Sequence, residues 1–184
     1  EVGVEHQHAL AGACQRGGQV GGDEGLADAA LAAGDGGDVH VLVPVRVLGV
    51  GGGALSDVLD GLLWSAGISV AGAPVNANPA SIINLSLGGS GLCGAAERDA
   101  ISRVNAQAQQ PVIVVAAGND GVNAGGFTPG GCDGVLDIGA GDSSGSRPSY
   151  SNYGASLTLL APGGSRNNAG VYDNANAILG TVKT

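Results

Sequence analysis

The chain has 184 residues, enough for one compact domain with a sizeable core, and 1–184 is read as one such domain. A formal net charge of −9, with only seven Lys and Arg, excludes a nucleic-acid partner, because phosphate binding needs clustered basic side chains. No run reaches the roughly 18 uninterrupted apolar residues of a membrane span, so no membrane partner is expected, and no charged-then-apolar leader opens the chain. Thirty-six glycines beside one Phe, one Trp and three Tyr indicate a fold in which small residues let backbone segments and ligands approach closely.

In chain order, the segment 17–38 is Gly, Ala and Asp with hardly any large apolar side chain, and it offers little for a strand to bury. The run VHVLVPVRVL at 39–48 is β-branched and nearly continuous in apolar character, as for a strand covered on both faces. Pro44 cannot donate to a ladder, which places this strand at an edge or puts a bulge in it. After Gly51, Gly52 and Gly53 a helix is predicted, with Ser56 as N-cap, Asp57 at its positive end, Leu55, Val58, Leu59, Leu62 and Leu63 at helical spacing, and an end near Gly67.

SIINLSL at 81–87 reads as a second buried strand stopped by Gly88 and Gly89. Residues 95–109 read as a helix with Ile101 and Val104 inward and Asp99 one turn before Arg103. PVIVVAAG at 111–118 is a third strand, and two shorter ones are expected at 134–140 and 157–161, separated by a polar loop containing Ser143, Ser144, Ser146 and Pro148. Strands alternating with helices give an α/β fold, a parallel sheet flanked by helices. Ligands of such sheets sit at the carboxyl ends of strands, which directs attention to Leu48–Gly53, to Ser86–Gly89 and to Ala116–Asp120.

The motifs PVRVLG, INLSLGG, VVAAGND, SYSNYG and LAPGG, in this order over 39–164, closely resemble the secreted bacterial subtilases, the subtilisin-like (S8) serine proteases, whereas 1–38 matches weakly. Five motifs agreeing in order make the resemblance specific. It implies a subtilisin-like three-layer α/β/α fold in which an extended peptide makes main-chain hydrogen bonds to strand edges. On that resemblance Gly51, Gly52 and Gly53 form one wall of the cleft, Ser86, Leu87 and Gly88 the other, and Ala116, Ala117 and Gly118 the floor of a side-chain pocket. Asn119 falls on the family's oxyanion asparagine, whose NH₂ donates to the oxygen that becomes negative when a nucleophile attacks the carbonyl.

The segment HQHALAG at 6–12 lies without gaps over the family's His-Gly-Thr-His-Val-Ala-Gly and puts His6 on the general base; with a stepwise deletion His8 takes that place, and both assignments stay open. The family's aspartate lies well ahead of the histidine and its serine lies in Gly-Thr-Ser-Met-Ala, so neither is expected within these 184 residues. Three cysteines, Cys14, Cys93 and Cys132, with no Cys-x-x-Cys spacing, disfavour zinc and allow one disulfide. The resemblance implies that Cys93 pairs with Cys132 in an oxidising compartment.

The resemblance also implies structural calcium, although no Asp-x-Asp-x-Asp-Gly loop names its ligands. The expected activity is a secreted, extracellular, monomeric serine endopeptidase acting on protein or peptide substrates. A subtilase-like domain that binds peptides without catalysis is the alternative. A nucleotide-binding domain is disfavoured, because neither Gly-x-Gly-x-x-Gly nor Gly-x-x-x-x-Gly-Lys occurs in the required context.

Overall fold

The computed structural model describes residues 30–34 and 41–165, with side chains described from residue 43. The chain divides into two compact units, one of Glu1–Ser86 with Ala95–Val114 and the other of Leu87–Gly94 with Val115–Thr184.

In the first unit Val41–Pro44 (β2), Ala30–Gly34 (β1), Ala80–Leu85 (β3) and the start of Val112–Ala116 (β5) lie side by side in the order β2-β1-β3-β5. Strand β1, Ala30–Gly34, pairs antiparallel with β2, Val41–Pro44, on one side and with β3, Ala80–Leu85, on the other. A strand therefore forms within 17–38, the segment expected to offer little for a strand to bury. Leu31 stands opposite both Pro44 and Asn84, so the ladder is carried by backbone groups, which small residues supply as well as large ones. Strand β2 is shorter than the run 39–48, ending at Pro44, and it lies at the end of the order, where a residue without an N–H is tolerated. Beyond it Val45 and Val47 are buried with Arg46 exposed between them.

Helix α1 covers Leu55–Ser65, with Val58, Leu62, Leu63 and Trp64 buried and Asp57 in its first turn. Two expectations fail here. The N-cap is Ala54, in an extended conformation and without a side-chain cap, so Ser56 already lies inside the first turn; Leu55, at the helix start, is exposed. The C-terminus closes as a Schellman motif, with Gly67 N–H donating to Trp64 O and Ile68 N–H to Leu63 O, both at 2.9 Å, and Gly67 at φ +79°. The Trp64 indole N–H donates to Pro74 O at 2.7 Å, and Asn76 Nδ2 donates to Trp64 O at 3.0 Å, a second bond to the carbonyl that already accepts from Gly67.

Helix α2 covers Ala95–Asn105, four residues short of the predicted end. Gln107 N–H reaches back only three residues to Val104 O, and Gln110, at φ +46°, closes a turn onto Gln107 O. Ile101 and Val104 are buried as predicted, and Asp99 meets Arg103 at 3.7 Å on an exposed face, where such a pair contributes little.

Strand β5, Val112–Ala116, begins in the first unit and ends in the second. There the order is β5-β7-β8, with β7, Leu136–Gly141, parallel to β8, Leu159–Pro162, in the register Ile138↔Leu159 to Gly141↔Pro162. A two-residue ladder joins β4, Gly89–Ser90, to β6, Phe127–Thr128, after a single 3-10 turn at Ala124–Gly126. Cys93 and Cys132 are disulfide-bonded with their Cα atoms 5.2 Å apart, as the resemblance implied. Among the described residues no helix is long and apolar enough to cross a membrane.

Candidate functional site

The sequence-predicted residues fall into both units. In the first, the chain leaving Val47 makes a tight turn in which Gly49 N–H donates to Gly52 O at 2.9 Å and Gly52 N–H to Gly49 O at 3.2 Å. Gly51 and Gly52 have φ of +87° and +117°, values that exclude ordinary side chains, and no atom lies within 4 Å of where a Cβ would stand on either. Gly51, Gly52 and Gly53 are all exposed, so this turn presents bare main chain to its surroundings. Ser86, just past β3, is also exposed and accepts from Asn84 Nδ2 at 2.9 Å.

In the second unit, Leu87 and Gly88 precede β4, and Ala116, Ala117, Gly118 and Asn119 run off the end of β5. Ala117 is buried and its N–H donates to Ile138 O at 3.0 Å, while Asn119 is exposed. The Phe127 ring brings the two segments together: a Cβ on Gly88 would stand 2.7 Å from its Cε1, and one on Gly118 2.9 Å from the same atom. Neither glycine has room for a side chain, and Gly118, at φ +104°, has a backbone that excludes one as well.

The segment 149–154 runs beside the loop that carries Asn119. Gly121 N–H donates to Tyr150 O, Tyr153 N–H to Val122 O, and Ala124 N–H to Tyr153 O, at 2.7–2.9 Å. Asn152, fully buried, supplies the remaining bonds. Its Nδ2 donates to Ala117 O at 2.8 Å, its Oδ1 accepts from Asp120 N–H at 3.0 Å and Val122 N–H at 3.1 Å, and its own N–H donates to Gly118 O at 3.0 Å. With one carbonyl on one side and two N–H groups on the other, the amide has a single satisfying orientation. The segment is itself fastened: Tyr150 Oη donates to Gly163 O at 2.8 Å, Ala140 N–H donates to Ser151 Oγ at 2.9 Å, and the Arg147 guanidinium donates to Ser151 O at 2.6 Å while lying 4.9 Å from the Tyr153 ring centre.

His6 and His8, like Cys14, lie outside the described residues. Sequence reasoning assigned no role to Phe127 or Asn152, although SYSNYG was among the motifs quoted. It also passed over Asp137, the second residue of strand β7 and its one charged side chain. Asp137 is buried; Ser156 Oγ donates to its Oδ2 at 3.1 Å, and Oδ1 has no hydrogen-bond partner among the described residues.

Burial pushes the Asp137 carboxyl above its ordinary value of 3.8, with the Ser156 hydroxyl opposing the rise. Folding therefore favours the protonated acid, so the unfolded chain ionises first. Stability falls as pH rises from the ordinary value through the raised one, and stays level above it. Asp137→Asn, which keeps an acceptor for Ser156 and cannot ionise, is expected to melt higher than the parent at pH 7–8, with the gain shrinking as pH falls toward 3.8. Calorimetry across that range checks this, and a gain independent of pH would contradict it.

The family model described as Peptidase_S8, subtilase family, matches residues 24–183. An "Extracellular protease" of Xanthomonas campestris pv. campestris is 47% identical over 124 residues, covering 67% of this chain and 21% of that protein. An "Extracellular basic protease" of Dichelobacter nodosus is 44% identical over 122 residues, covering 66% and 20%. The chain thus spans about a fifth of the length of these curated relatives. Among solved structures, a protease of Pseudoalteromonas arctica superposes with TM-score 0.65 at 46% identity, over 68% of this chain and 36% of that one. A structure titled as a cold-adapted subtilisin-like serine proteinase superposes with TM-score 0.52 at 31% identity, over 65% and 40%.

Proposed function

The chain belongs to the subtilase family, with a subtilisin-like α/β fold, and from that premise we propose that the full-length protein is a secreted serine endopeptidase that cleaves proteins by acyl transfer. The observation that carries the proposal is the placement of Asn119: an exposed carboxamide on a loop at the carboxyl end of β5, anchored by hydrogen bonds on both sides of it. A donor held in advance of the reaction stabilises charge that develops during it, because no reorganisation is then needed.

In this proposal Asn119 Nδ2 donates to the tetrahedral oxyanion, and His6 takes the proton of a serine nucleophile and returns it to the leaving amine. No serine or aspartate of this chain is assigned to the other two triad roles. Gly51, Gly52 and Gly53, and Ser86, Leu87 and Gly88, each offer main-chain groups to an extended peptide, which needs backbone free of side chains. Ala116, Ala117 and Gly118 border the substrate side chain before the scissile bond. Relatives named extracellular support secretion, as does a disulfide, which persists in oxidising compartments.

Calcium enters the proposal as a structural ion on the family resemblance alone. The described residues do not gather three His, Cys, Asp or Glu side chains at any point, so no ligand is assigned and no step runs through the ion. A melting temperature unmoved by EDTA would remove calcium from the proposal.

Treating the full-length protein with a fluorophosphonate and mapping the adduct by mass spectrometry tests the activity. One labelled serine, with labelling blocked by prior heat denaturation, is the expected result. A folded full-length protein that takes up no label would favour a peptide-binding role without catalysis.

A further inference from the structure

We infer that Asn152 is a positioning residue for turnover, fixing the backbone from which the Asn119 carboxamide projects while itself buried away from substrate. The inference rests on the reading of Asn119 as the oxyanion donor.

A residue's course is set by the two planar peptide groups that meet at its Cα. For Asn119 these are the Gly118–Asn119 and Asn119–Asp120 peptides. Asn152 binds both: its N–H donates to the Gly118 carbonyl of the first at 3.0 Å, and its Oδ1 accepts from the Asp120 N–H of the second at 3.0 Å. With both planes held by one buried residue, φ and ψ of Asn119 are fixed and only its side-chain torsions are left free. The bonds from Asn152 Nδ2 to Ala117 O and from Val122 N–H to Asn152 Oδ1 extend the hold outward by one position on the first side and two on the second.

Gly118 closes the arrangement. A Cβ there would stand 2.4 Å from Asn152 Nδ2, so the absent side chain is what lets the amide reach the Ala117 carbonyl. A buried amide satisfied at all these points is costly to disturb, and a donor misplaced by about 1 Å loses a large part of its effect on a transition state.

The test is a double-mutant cycle in the full-length protein. Asn152→Asp keeps the shape and the acceptor but sets a carboxylate oxygen against the Ala117 carbonyl. Expected is a fall in kcat of about 10–100-fold with KM within about twofold, in a protein with near-parental circular dichroism. In an Asn119→Ala background the same change is expected to cost less than about twofold, because the group it positions is gone. A role confined to folding would instead lower the active fraction equally in both backgrounds, and that result overturns the inference. If Asn152→Asp does not fold, Asn152→Ser replaces it in the cycle under the same criteria. Parental turnover in Asn119→Ala would overturn the oxyanion reading itself, whereas a slow Asn119→Ala beside a parental Asn152→Asp would overturn only this inference.

Discussion

Asn119→Ala in the full-length protein is expected to lower kcat by about 10²–10³ while KM moves by less than about threefold. The magnitude is the one established for the oxyanion asparagine of a subtilisin, and it is taken over as such rather than obtained from this geometry. What the geometry contributes is the division between kcat and KM. Asn119 is exposed at the end of β5, whereas the small residues proposed to border the substrate side chain, Ala116 to Gly118, precede it in the chain and keep their own anchors. Removing the carboxamide therefore leaves ground-state contacts in place and deletes one donor that matters when negative charge appears on the carbonyl oxygen. Steady-state kinetics on a peptide anilide separate the two constants. A variant with parental kcat, or one whose whole loss lies in KM, would remove Asn119 from the oxyanion role. Because the loop is held by main-chain bonds to Tyr150 and Tyr153 and by Asn152, the substitution is expected to leave the melting temperature nearly unchanged.

The parts legible in the sequence were those written in local patterns. SIINLSL and PVIVVAAG announce β3 and β5 because buried strands need continuous apolar runs, and the glycines after Leu48 announce a turn because few other residues accept positive φ. Strand β1 was missed for the complementary reason. Its ALAAG carries too little apolar bulk to stand out, and what defines it is backbone pairing to β2 and β3, which side-chain periodicity does not report.

The N-cap expectation failed because Ser56 is a good cap by type, yet the helix begins at Leu55, so the position ahead of it belongs to Ala54. The Asn152 hold was invisible for a topological reason: it joins residues 30 to 35 positions apart in the chain, and no local spacing rule sees such a bond. Asp137 is different. A lone acid inside VLDIGA breaks the apolar run of a strand, and that signal could have marked it as a buried carboxylate before any coordinates.

The disulfide gives the largest expected effect on stability. Cys93 and Cys132 enclose a separation of 39 residues, and a cross-link of that span removes unfolded-state entropy worth about 3–4 kcal/mol. Cys93→Ser with Cys132→Ser is therefore expected to lower the melting temperature by about 10 °C, at roughly 2–4 °C per kcal/mol. Its local effect follows from its place in segment 87–94, which a short ladder also ties to the rest of the second unit. The β4–β6 ladder has two residues on each side, supported by Gly91 N–H donating to Gly126 O at 2.9 Å and by Gly88 packing on Phe127. So short a ribbon is marginal without a staple. This segment carries Leu87 and Gly88, proposed to bind peptide backbone, whereas Asn119 has separate anchors in 149–154. Below the melting temperature the double variant should therefore show a raised KM and a nearly parental kcat, opposite to the expectation for Asn119→Ala. Parental protein reduced under native conditions should reproduce that shift in KM. Equal loss in both constants would mean that the staple supports the Asn119 loop as well, and a parental melting temperature in the double variant would show that it stabilises nothing.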